Sequence, residues 1–184
     1  MEFHIGDKVI HWSYGIGEIV GIEQKALGGR PTNCYVFQTL DMTMWIPIDD
    51  LSQSSLRIPT QPEEFETLFA ILSSPGETLP ADRMLRKDQI RAQMKVGQLA
   101  SICRVIRDLE YFKSSSKLND QESSLLEQAK RSLLTEWAYS LGVTPVQAQQ
   151  ALIKLLESKP IIPVDTTLTD RRARKSGNAG RPAL

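Results

Sequence analysis

The first 58 positions of the chain consist of short apolar segments separated by clusters of turn residues. The apolar segments are rich in β-branched and aromatic side chains, a composition typical of strands. They lie at positions 9–12, 17–22, 35–37 and 44–48. No stretch of this region has a helical period. Because several short strands in so few residues bury a core only by curling on themselves, the pattern predicts a small closed β-barrel at 1–58.

From Pro62 the apolar positions recur at intervals of three and four residues, the spacing of helices with one buried face. Clusters of glycine, proline and serine interrupt this period and divide the region into four to five helices. The predicted helices cover about 65–72, 81–96, 99–113, 119–141 and 145–156. Residues 62–158 are therefore predicted to form an all-α domain, which makes the fold class α+β with two domains.

The ends of the last two predicted helices carry capping residues. Asn119 is followed three residues later by Glu122, the spacing of a capping box. Gly142 favours a left-handed cap at the end of the same helix. Thr144 and Pro145 then supply an N-cap and a proline at the first helical position. These local patterns fix the expected limits of both helices.

Beyond residue 158 the sequence is polar, basic and rich in residues that break regular structure. Such a segment lacks the apolar surface that would offset the entropy of ordering. Residues 159–184 are therefore predicted to be a disordered basic tail. Its Arg-Gly-Pro composition would suit insertion into a DNA minor groove, and a solubilising terminus is the competing interpretation.

Composition excludes several classes of protein. No apolar run approaches the roughly 18 residues of a membrane span, and the N-terminal segment lacks the order of a signal peptide. Cys34 and Cys103 have no metal-ligand spacing, which favours reduced thiols in a cytoplasmic protein. His4 and His11 are the only histidines. We therefore predict no metal, no cofactor and no membrane association.

The formal net charge is zero, but the charges are unevenly distributed along the chain. Residues 58–82 contain five Asp/Glu and no Lys/Arg, whereas residues 83–117 contain nine Lys/Arg and three Asp/Glu. The local field, rather than the net charge, attracts phosphate. The basic region therefore keeps nucleic-acid binding among the candidate functions.

Basic residues on the second predicted helix form the candidate DNA-binding site. They are Arg83, Arg86, Lys87, Arg91 and Lys95. The spacing predicts that they share one side of the helix, and Asp88 is expected to point elsewhere. Such a stripe would bind phosphates without reading base sequence. A solvated charged face without a partner is the alternative interpretation.

Two other groups of residues resemble functional sites without completing one. Gly15, Gly17 and Gly21 have the wrong spacing for a dinucleotide-binding turn, and a strand follows them where a helix is needed. His11 and Trp12 could line a ligand pocket, but such residues more commonly fill the interior of a small barrel. No nucleophile is fixed beside a base, so the sequence predicts a protein that is not an enzyme.

Two segments of the chain resemble a known family of bacterial transcription regulators. Residues 5–19, which read Ile-Gly-Asp-Lys-Val-Ile-His-Trp-Ser-Tyr-Gly-Ile-Gly-Glu-Ile, are similar to the opening of the CarD/CdnL family. The polymerase-binding module of transcription–repair coupling factors opens in the same way. Residues 99–109 resemble the Val-Arg-Asp-Leu helix of the family's second domain, and the helix start at 117–122 also matches. The resemblance covers about 3–156.

The resemblance implies a function in transcription. The N-terminal domain would be a Tudor-like barrel that pairs with a lobe of the RNA polymerase β subunit. The helical domain would lie on promoter DNA just upstream of the −10 element and stabilise the open complex. Lys25 falls where family members carry a basic residue facing polymerase, and Trp45 falls where some members carry an arginine. We take Lys25, Trp45 and Arg30 as the candidate polymerase-binding residues, and expect a monomer in the cytoplasm, at the nucleoid.

One departure from the family concerns the DNA contact. Many members insert a tryptophan from just before the basic helix into the minor groove, and residues 81–85 here contain none. Trp137 is expected on the apolar stripe of the fourth helix and is no substitute. Either Met84 or Leu85 acts as a weaker wedge, or phosphate contacts alone hold the DNA, which we favour. The missing tryptophan also supports an alternative function, a polymerase- or protein-binding adaptor whose helical domain recruits another protein instead of DNA.

Overall fold

The computed structural model describes residues 2–48 and 56–157. An antiparallel sheet comes first and a helical domain follows, which confirms the predicted α+β class with the β domain before the all-α domain. The basic tail predicted at 159–184 lies outside the described residues.

Five antiparallel strands form the N-terminal sheet in the order β4-β3-β2-β1-β5. The strands are β1 (Lys8–His11), β2 (Gly15–Leu27), β3 (Arg30–Gln38), β4 (Thr43–Pro47) and β5 (Leu56–Arg57). As far as the structure describes the chain, the two edge strands β4 and β5 do not pair with each other. Among the described residues the sheet is therefore open and not closed as expected, since the two-residue strand β5 pairs with β1 alone.

Strands β2 and β3 form a hairpin that is much longer than the predicted strands. Its turn is Gly28-Gly29, and both glycines adopt the left-handed φ angles, 58° and 79°, that a two-residue turn requires. Residues 23–33, which we call the hairpin arm, extend beyond the buried part of the sheet, and their side chains are partly or fully exposed. The length was underestimated because polar residues on both faces remove the alternation that predicts a strand.

One face of the sheet holds the apolar core of the N-terminal domain. Its buried members are Phe3, Val9, Ile19, Tyr35, Phe37, Ile46 and Leu56. The backbone N–H of Phe3 donates to the Tyr35 hydroxyl at 3.0 Å, which fixes the N-terminal segment on the sheet. A Cβ atom at Gly17 would lie only 2.4 Å from the Phe37 ring. This glycine therefore serves close packing of a strand, not phosphate binding.

His11 fills one end of this core. Its side chain is buried, and its ring centroid lies 4.7 Å from that of Tyr14 and 6.0 Å from that of Phe37. Its Nδ1 accepts hydrogen bonds from the backbone N–H groups of Ser13 and Tyr14 at 3.1 and 3.3 Å. Burial lowers the pKa of His11 below its ordinary value of 6.5. The neutral imidazole is therefore the form that the folded domain uses.

We expect acidification to weaken the N-terminal domain through His11. The unfolded chain takes up a proton at His11 near pH 6.5, whereas the folded domain takes it up only at lower pH. The contribution of His11 to stability is therefore present above about pH 6.5 and is lost as the pH falls further. Chemical unfolding between about pH 7.5 and 5.5, above the range in which carboxylates titrate, should show a falling midpoint.

The matched control for this titration is His11→Asn. The amide oxygen of asparagine can accept the same two backbone hydrogen bonds and does not titrate. The variant should lose the pH dependence over this range. An equally steep profile in the variant would show that another group causes it.

Five α-helices form the C-terminal domain after a short 3-10 turn at Pro62–Glu64. They are α1 (Phe65–Ser73), α2 (Arg83–Lys95), α3 (Leu99–Ser115), α4 (Asp120–Leu141) and α5 (Pro145–Glu157). The predicted capping box is present, since the side chains of Asn119 and Glu122 each accept the other's backbone N–H. Gly142 caps α4 with a left-handed φ of 62°, as predicted. Within the described ranges, no helix is both long and apolar enough to cross a membrane.

The helices enclose one apolar core to which α3 contributes most. The buried apolar residues of α3 are Leu99, Ile102, Cys103, Val105, Ile106 and Leu109. Trp137 of α4 is buried against Phe69 with ring centroids 4.5 Å apart, which confirms that it belongs to this core. Both cysteines are buried. Burial raises the pKa of Cys103 to about 12, so its thiol is chemically inert in the folded chain.

Candidate binding surfaces

Four basic side chains form a line along the surface of α2, which we call the α2 stripe. They are Arg83, Lys87, Arg91 and Lys95. Successive members are four residues apart, which places them about 6 Å apart along the helix axis. Lys87 is partly buried and the other three are exposed. Among the described residues the four side chains form no ion pair with a carboxylate, although the charge of Arg83 helps to lower the pKa of Glu122.

Arg86 does not belong to the α2 stripe, and the prediction that it shares that surface is wrong. The residue is only 5% exposed. Its Nε donates to Glu122 Oε1 at 2.7 Å, and its Nη1 donates to the carbonyl oxygens of Pro80 and Ala81 at 2.6 and 3.1 Å. Its guanidinium lies 4.6 Å from the centroid of the Phe112 ring. Arg86 therefore joins the start of α2 to the start of α4.

The position of Arg86 on the helix explains its burial. It precedes Ile90 by four residues and Met94 by eight, and both are buried, so all three lie on the face that packs against the core. Burial alone would raise the pKa of Glu122, but hydrogen bonds from the Asn119 backbone and from Arg86 hold that pKa below its ordinary value. The pair is therefore ionised inside the domain and is structural.

Asp88 is an acidic residue of α2 outside the line of the stripe, and the expectation that its side chain points elsewhere stays a prediction. The residue is exposed. It precedes Arg91 by three residues and Lys95 by seven, and helical neighbours at these spacings share one side. Its carboxylate therefore weakens the positive field of the α2 stripe, and its removal should strengthen the attraction for phosphate.

Two apolar side chains lie exposed in the first turn of α2, next to Arg83. Met84 is 65% and Leu85 is 64% exposed. The side chain of the N-cap Asp82 accepts the backbone N–H of Leu85 at 2.9 Å, which orders this turn. Exposed apolar side chains beside basic ones suit insertion between bases, and they also suit a contact with an apolar protein surface. Both interpretations offered by the sequence stay predictions.

The outer face of the sheet carries a cluster of three side chains, Glu23, Lys25 and Trp45, which we call the β-face triad. Lys25 Nζ lies 3.0 Å from Glu23 Oε2 and 4.4 Å from the centroid of the Trp45 ring. The Trp45 indole N–H donates to Glu23 Oε2 at 2.9 Å. Trp45 is still 42% exposed. The structure thus brings two candidate polymerase-binding residues, Lys25 and Trp45, into direct contact.

The electrostatics of the β-face triad follow from Glu23. Hydrogen bonds from Trp45 and from Lys25 lower the pKa of Glu23, so its carboxylate is ionised at neutral pH and offsets the charge of the ammonium beside it. The triad presents an aromatic surface with little net charge. Sequence reasoning missed Glu23, although its spacing of two from Lys25 in a strand already predicts that both share one face.

Arg30, the third candidate polymerase-binding residue, lies at the tip of the hairpin arm. It begins β3 directly after the Gly28-Gly29 turn and pairs with Leu27, two residue pairs beyond Lys25 and Thr32. Arg30 is exposed and separate from the β-face triad. Its contact with polymerase stays a prediction.

The described residues offer surfaces for binding. Within 2–48 and 56–157, no three His, Cys, Asp or Glu side chains are placed to hold a metal ion. The α2 stripe and the β-face triad lie on different domains.

Comparison with known proteins identifies both domains. A family model described as "CarD-like/TRCF RID domain" matches residues 3–58, and one described as "CarD, C-terminal domain" matches residues 67–153. The chain is 28% identical over 151 residues to a protein of Bacillus subtilis (strain 168) named "Putative transcription factor YdeB". That match covers 79% of this chain and 96% of the relative. The chain is also 29% identical over 121 residues to the "SWI/SNF complex subunit SWI3A homolog" of Oryza sativa subsp. japonica. This second match covers 60% of the chain and 21% of the rice protein.

Proposed function

Since the chain belongs to the CarD family, whose two domains match it in order, we propose that it binds RNA polymerase and promoter DNA together and stabilises the open complex. The chain is a transcription-related factor with an RNA polymerase-interacting domain, and its family consists of transcription regulators and is not an enzyme class. The single observation that carries the DNA part of the proposal is the α2 stripe. It presents four basic side chains in one line, three of them exposed, and among the described residues none of the four forms an ion pair.

The polymerase contact is proposed to centre on the β-face triad. The exposed part of the Trp45 ring would be buried against a lobe of the polymerase β subunit, and tryptophan is the residue type that most often dominates such contacts. Lys25 already contacts Glu23 and Trp45 in the unbound chain. Binding would therefore cost little side-chain conformational entropy at this surface. Because the triad has little net charge, this contact should depend weakly on salt.

We expect Trp45→Ala to weaken binding to the polymerase β-subunit lobe by about 30-fold, the effect of removing a hot-spot side chain worth about 2 kcal/mol. Calorimetric titration of the full chain with the lobe measures the change. Lys25→Glu should also weaken binding, because it places two carboxylates side by side under the ring. Binding of the parent chain should change little between low and moderate salt.

The matched control for the polymerase contact is Gln24→Ala. Gln24 is an exposed neighbour of both Glu23 and Lys25, and the alternation of the strand places it on the opposite face. This variant should bind the lobe as the parent chain does. Equal losses in Gln24→Ala and Trp45→Ala would place the contact elsewhere on the hairpin.

The DNA contact is proposed to use the α2 stripe on backbone phosphates. Such contacts position a protein on the duplex without selecting a sequence, so promoter choice would come from polymerase. The buried Arg86 plays no direct part in this contact.

The mechanism is a shift in a conformational equilibrium. A ligand stabilises the state that it binds more tightly, by its difference in affinity for the two states. The two states here are the melted and the closed promoter. Each tenfold difference between the affinities of the chain for them stabilises the open complex by about 1.4 kcal/mol. A monomer associated with the nucleoid is sufficient for this function.

The proposed function is tested by the lifetime of the open complex after a challenge with competitor DNA. The full chain should lengthen the lifetime, and Trp45→Ala should require much higher concentrations for the same effect. An unchanged lifetime at saturating concentrations of the full chain would refute the proposed function.

A second candidate function is a polymerase-bound adaptor whose helical domain recruits another protein. The observation that favours it is the exposure of Met84 and Leu85, which would suit an apolar partner surface. The two candidates differ in salt dependence. Steep loss of binding to a promoter fragment with rising salt supports DNA, and an absence of binding at low salt supports the adaptor.

A further inference from the structure

A partly buried ion pair joins the two domains that carry the proposed binding surfaces. Arg57 is the last residue of β5, and Glu136 lies on α4. Arg57 Nη1 and Nη2 lie 2.6 Å from Glu136 Oε1 and Oε2 respectively, which is a bidentate arrangement. The side chain of Glu136 is only 2% exposed. The sheet is therefore fixed to the helical domain by a contact with a defined direction.

Further hydrogen bonds connect this ion pair to two other segments. Thr60, in the linker, donates its backbone N–H and its hydroxyl to Glu136 Oε1 at 2.8 and 2.7 Å. Arg57 Nε donates to the carbonyl oxygen of Gly97 at 2.7 Å. Gly97 also packs closely on the N-terminal domain, since a Cβ atom there would lie 3.2 Å from Trp12 Cβ. We call Arg57, Thr60, Gly97 and Glu136 the interdomain clamp.

The interdomain clamp holds the basic helix itself. Gly97 follows Lys95, the last member of the α2 stripe, by two residues, so Arg57 is bonded to the end of the helix proposed to contact DNA. On the other side, Arg57 pairs with Ile10 of β1, which lies in the sheet that carries the β-face triad. The end of α2 is thus connected to β2, which carries Glu23 and Lys25, through the Arg57 side chain and the strands β5 and β1.

We propose that the interdomain clamp holds the two domains as one rigid body and thereby sets the spacing at which polymerase and DNA are bound together. This inference rests on the proposed function and deepens it. Arg57 and Glu136 are positioning residues, because neither is exposed on either binding surface. Preset geometry raises the effective concentration of the second contact once the first has formed, whereas free domains would spread over many arrangements.

The rigidity of the clamp is tested by distance measurements between spin labels on the full chain. Gln38→Cys in β3 and Gln89→Cys in α2 place labels at exposed positions on the two domains. Both native cysteines are buried, so the labels attach at the introduced sites. Glu136→Gln should change a narrow distance distribution into a broad one, because the amide accepts no bidentate pair from Arg57.

Two further variants separate the clamp from a general loss of structure. Thr60→Val removes one hydroxyl donor without disturbing the ion pair and should broaden the distribution partly. Glu127→Gln changes an exposed carboxylate on α4, the helix that also carries Glu136, and should leave the distance distribution narrow. A narrow distribution in both Glu136→Gln and Thr60→Val would overturn the proposal.

The functional consequence needs three measurements on the full-length Glu136→Gln variant. Binding to the isolated β-subunit lobe and binding to a promoter fragment should each stay within about twofold of the parent. The open-complex lifetime gained from the protein should fall by at least about fivefold, because only the joint contact depends on spacing. An unchanged lifetime, or a loss in either separate binding step, would overturn the positioning role.

The experiments also distinguish failure of the proposed function from failure of the positioning role of the clamp. If the parent chain itself leaves the open-complex lifetime unchanged, the bridging function is refuted. The distance distributions then still decide whether the clamp makes the domains rigid, because they involve neither polymerase nor DNA.

Discussion

Replacement of Arg86 by alanine lowers the free energy of unfolding of the helical domain by about 3–5 kcal/mol, the expected effect of leaving a buried charge without its partner. The side chains of Arg86 and Glu122 are 6% and 3% exposed, so water cannot replace the lost ion pair. The substitution also removes the donors to the Pro80 and Ala81 carbonyl oxygens and the packing on Phe112. Urea unfolding followed by circular dichroism measures the change.

Two further variants identify the cause of this loss. Arg83→Ala removes the same charge from an exposed position of the same helix and should change stability by less than about 0.5 kcal/mol. Arg86→Met combined with Glu122→Gln should recover part of the loss, because an uncharged pair has no uncompensated charge and glutamine can still complete the capping box. A stability of Arg86→Ala within 0.5 kcal/mol of the parent, roughly the scatter of surface substitutions, would contradict the assigned role.

Replacement of all four residues of the α2 stripe by glutamine removes most of the affinity for DNA and flattens its dependence on salt. Each neutralised phosphate contributes about 0.9 to the slope of log affinity against log salt. Four contacts therefore give a slope of about −3.6 and a loss of roughly 100-fold between 50 and 200 mM salt. Fluorescence anisotropy with a labelled promoter duplex, titrated with salt, measures both quantities. The fold is expected to persist, because none of the four side chains lies in the core.

Substitutions that each remove one charged side chain provide the controls for the α2 stripe. Asp88→Asn removes the opposing carboxylate and should tighten DNA binding by a few fold, in the direction opposite to Lys87→Gln. Arg131→Gln removes an exposed charge from α4 and should have little effect. A steep salt dependence that persists in the fourfold variant would assign DNA binding to another surface. A weak dependence in the parent chain would favour the adaptor function.

Features determined by neighbouring residues could be predicted from the sequence. The capping box of Asn119 and Glu122 and the left-handed Gly142 depend on residues within one turn, and both are present as predicted. The helical spacing also placed Trp137 correctly in the core. Such elements are local, so their patterns appear directly in the chain.

Features determined by distant residues could not be predicted in the same way. The spacing of the basic residues on α2 is compatible with Arg86 on either the stripe or the buried face, and the choice depends on Glu122, 36 residues away. The pair of Arg57 and Glu136 spans 79 residues and two domains. The contact of Trp45 with Glu23 depends on the register of three strands. Ion pairs of this kind become visible only when the fold brings their partners together.

The hairpin arm lies outside the core of its domain, and this has a consequence for how such a protein changes over generations. Side chains that fill no core can be exchanged at little cost to folding, so substitutions in the hairpin arm should be tolerated more often than substitutions in the buried part of the sheet. Substitutions in the arm can therefore change what the N-terminal domain binds, while the helices, the capping residues and the ion pairs of the helical domain stay under separate selection.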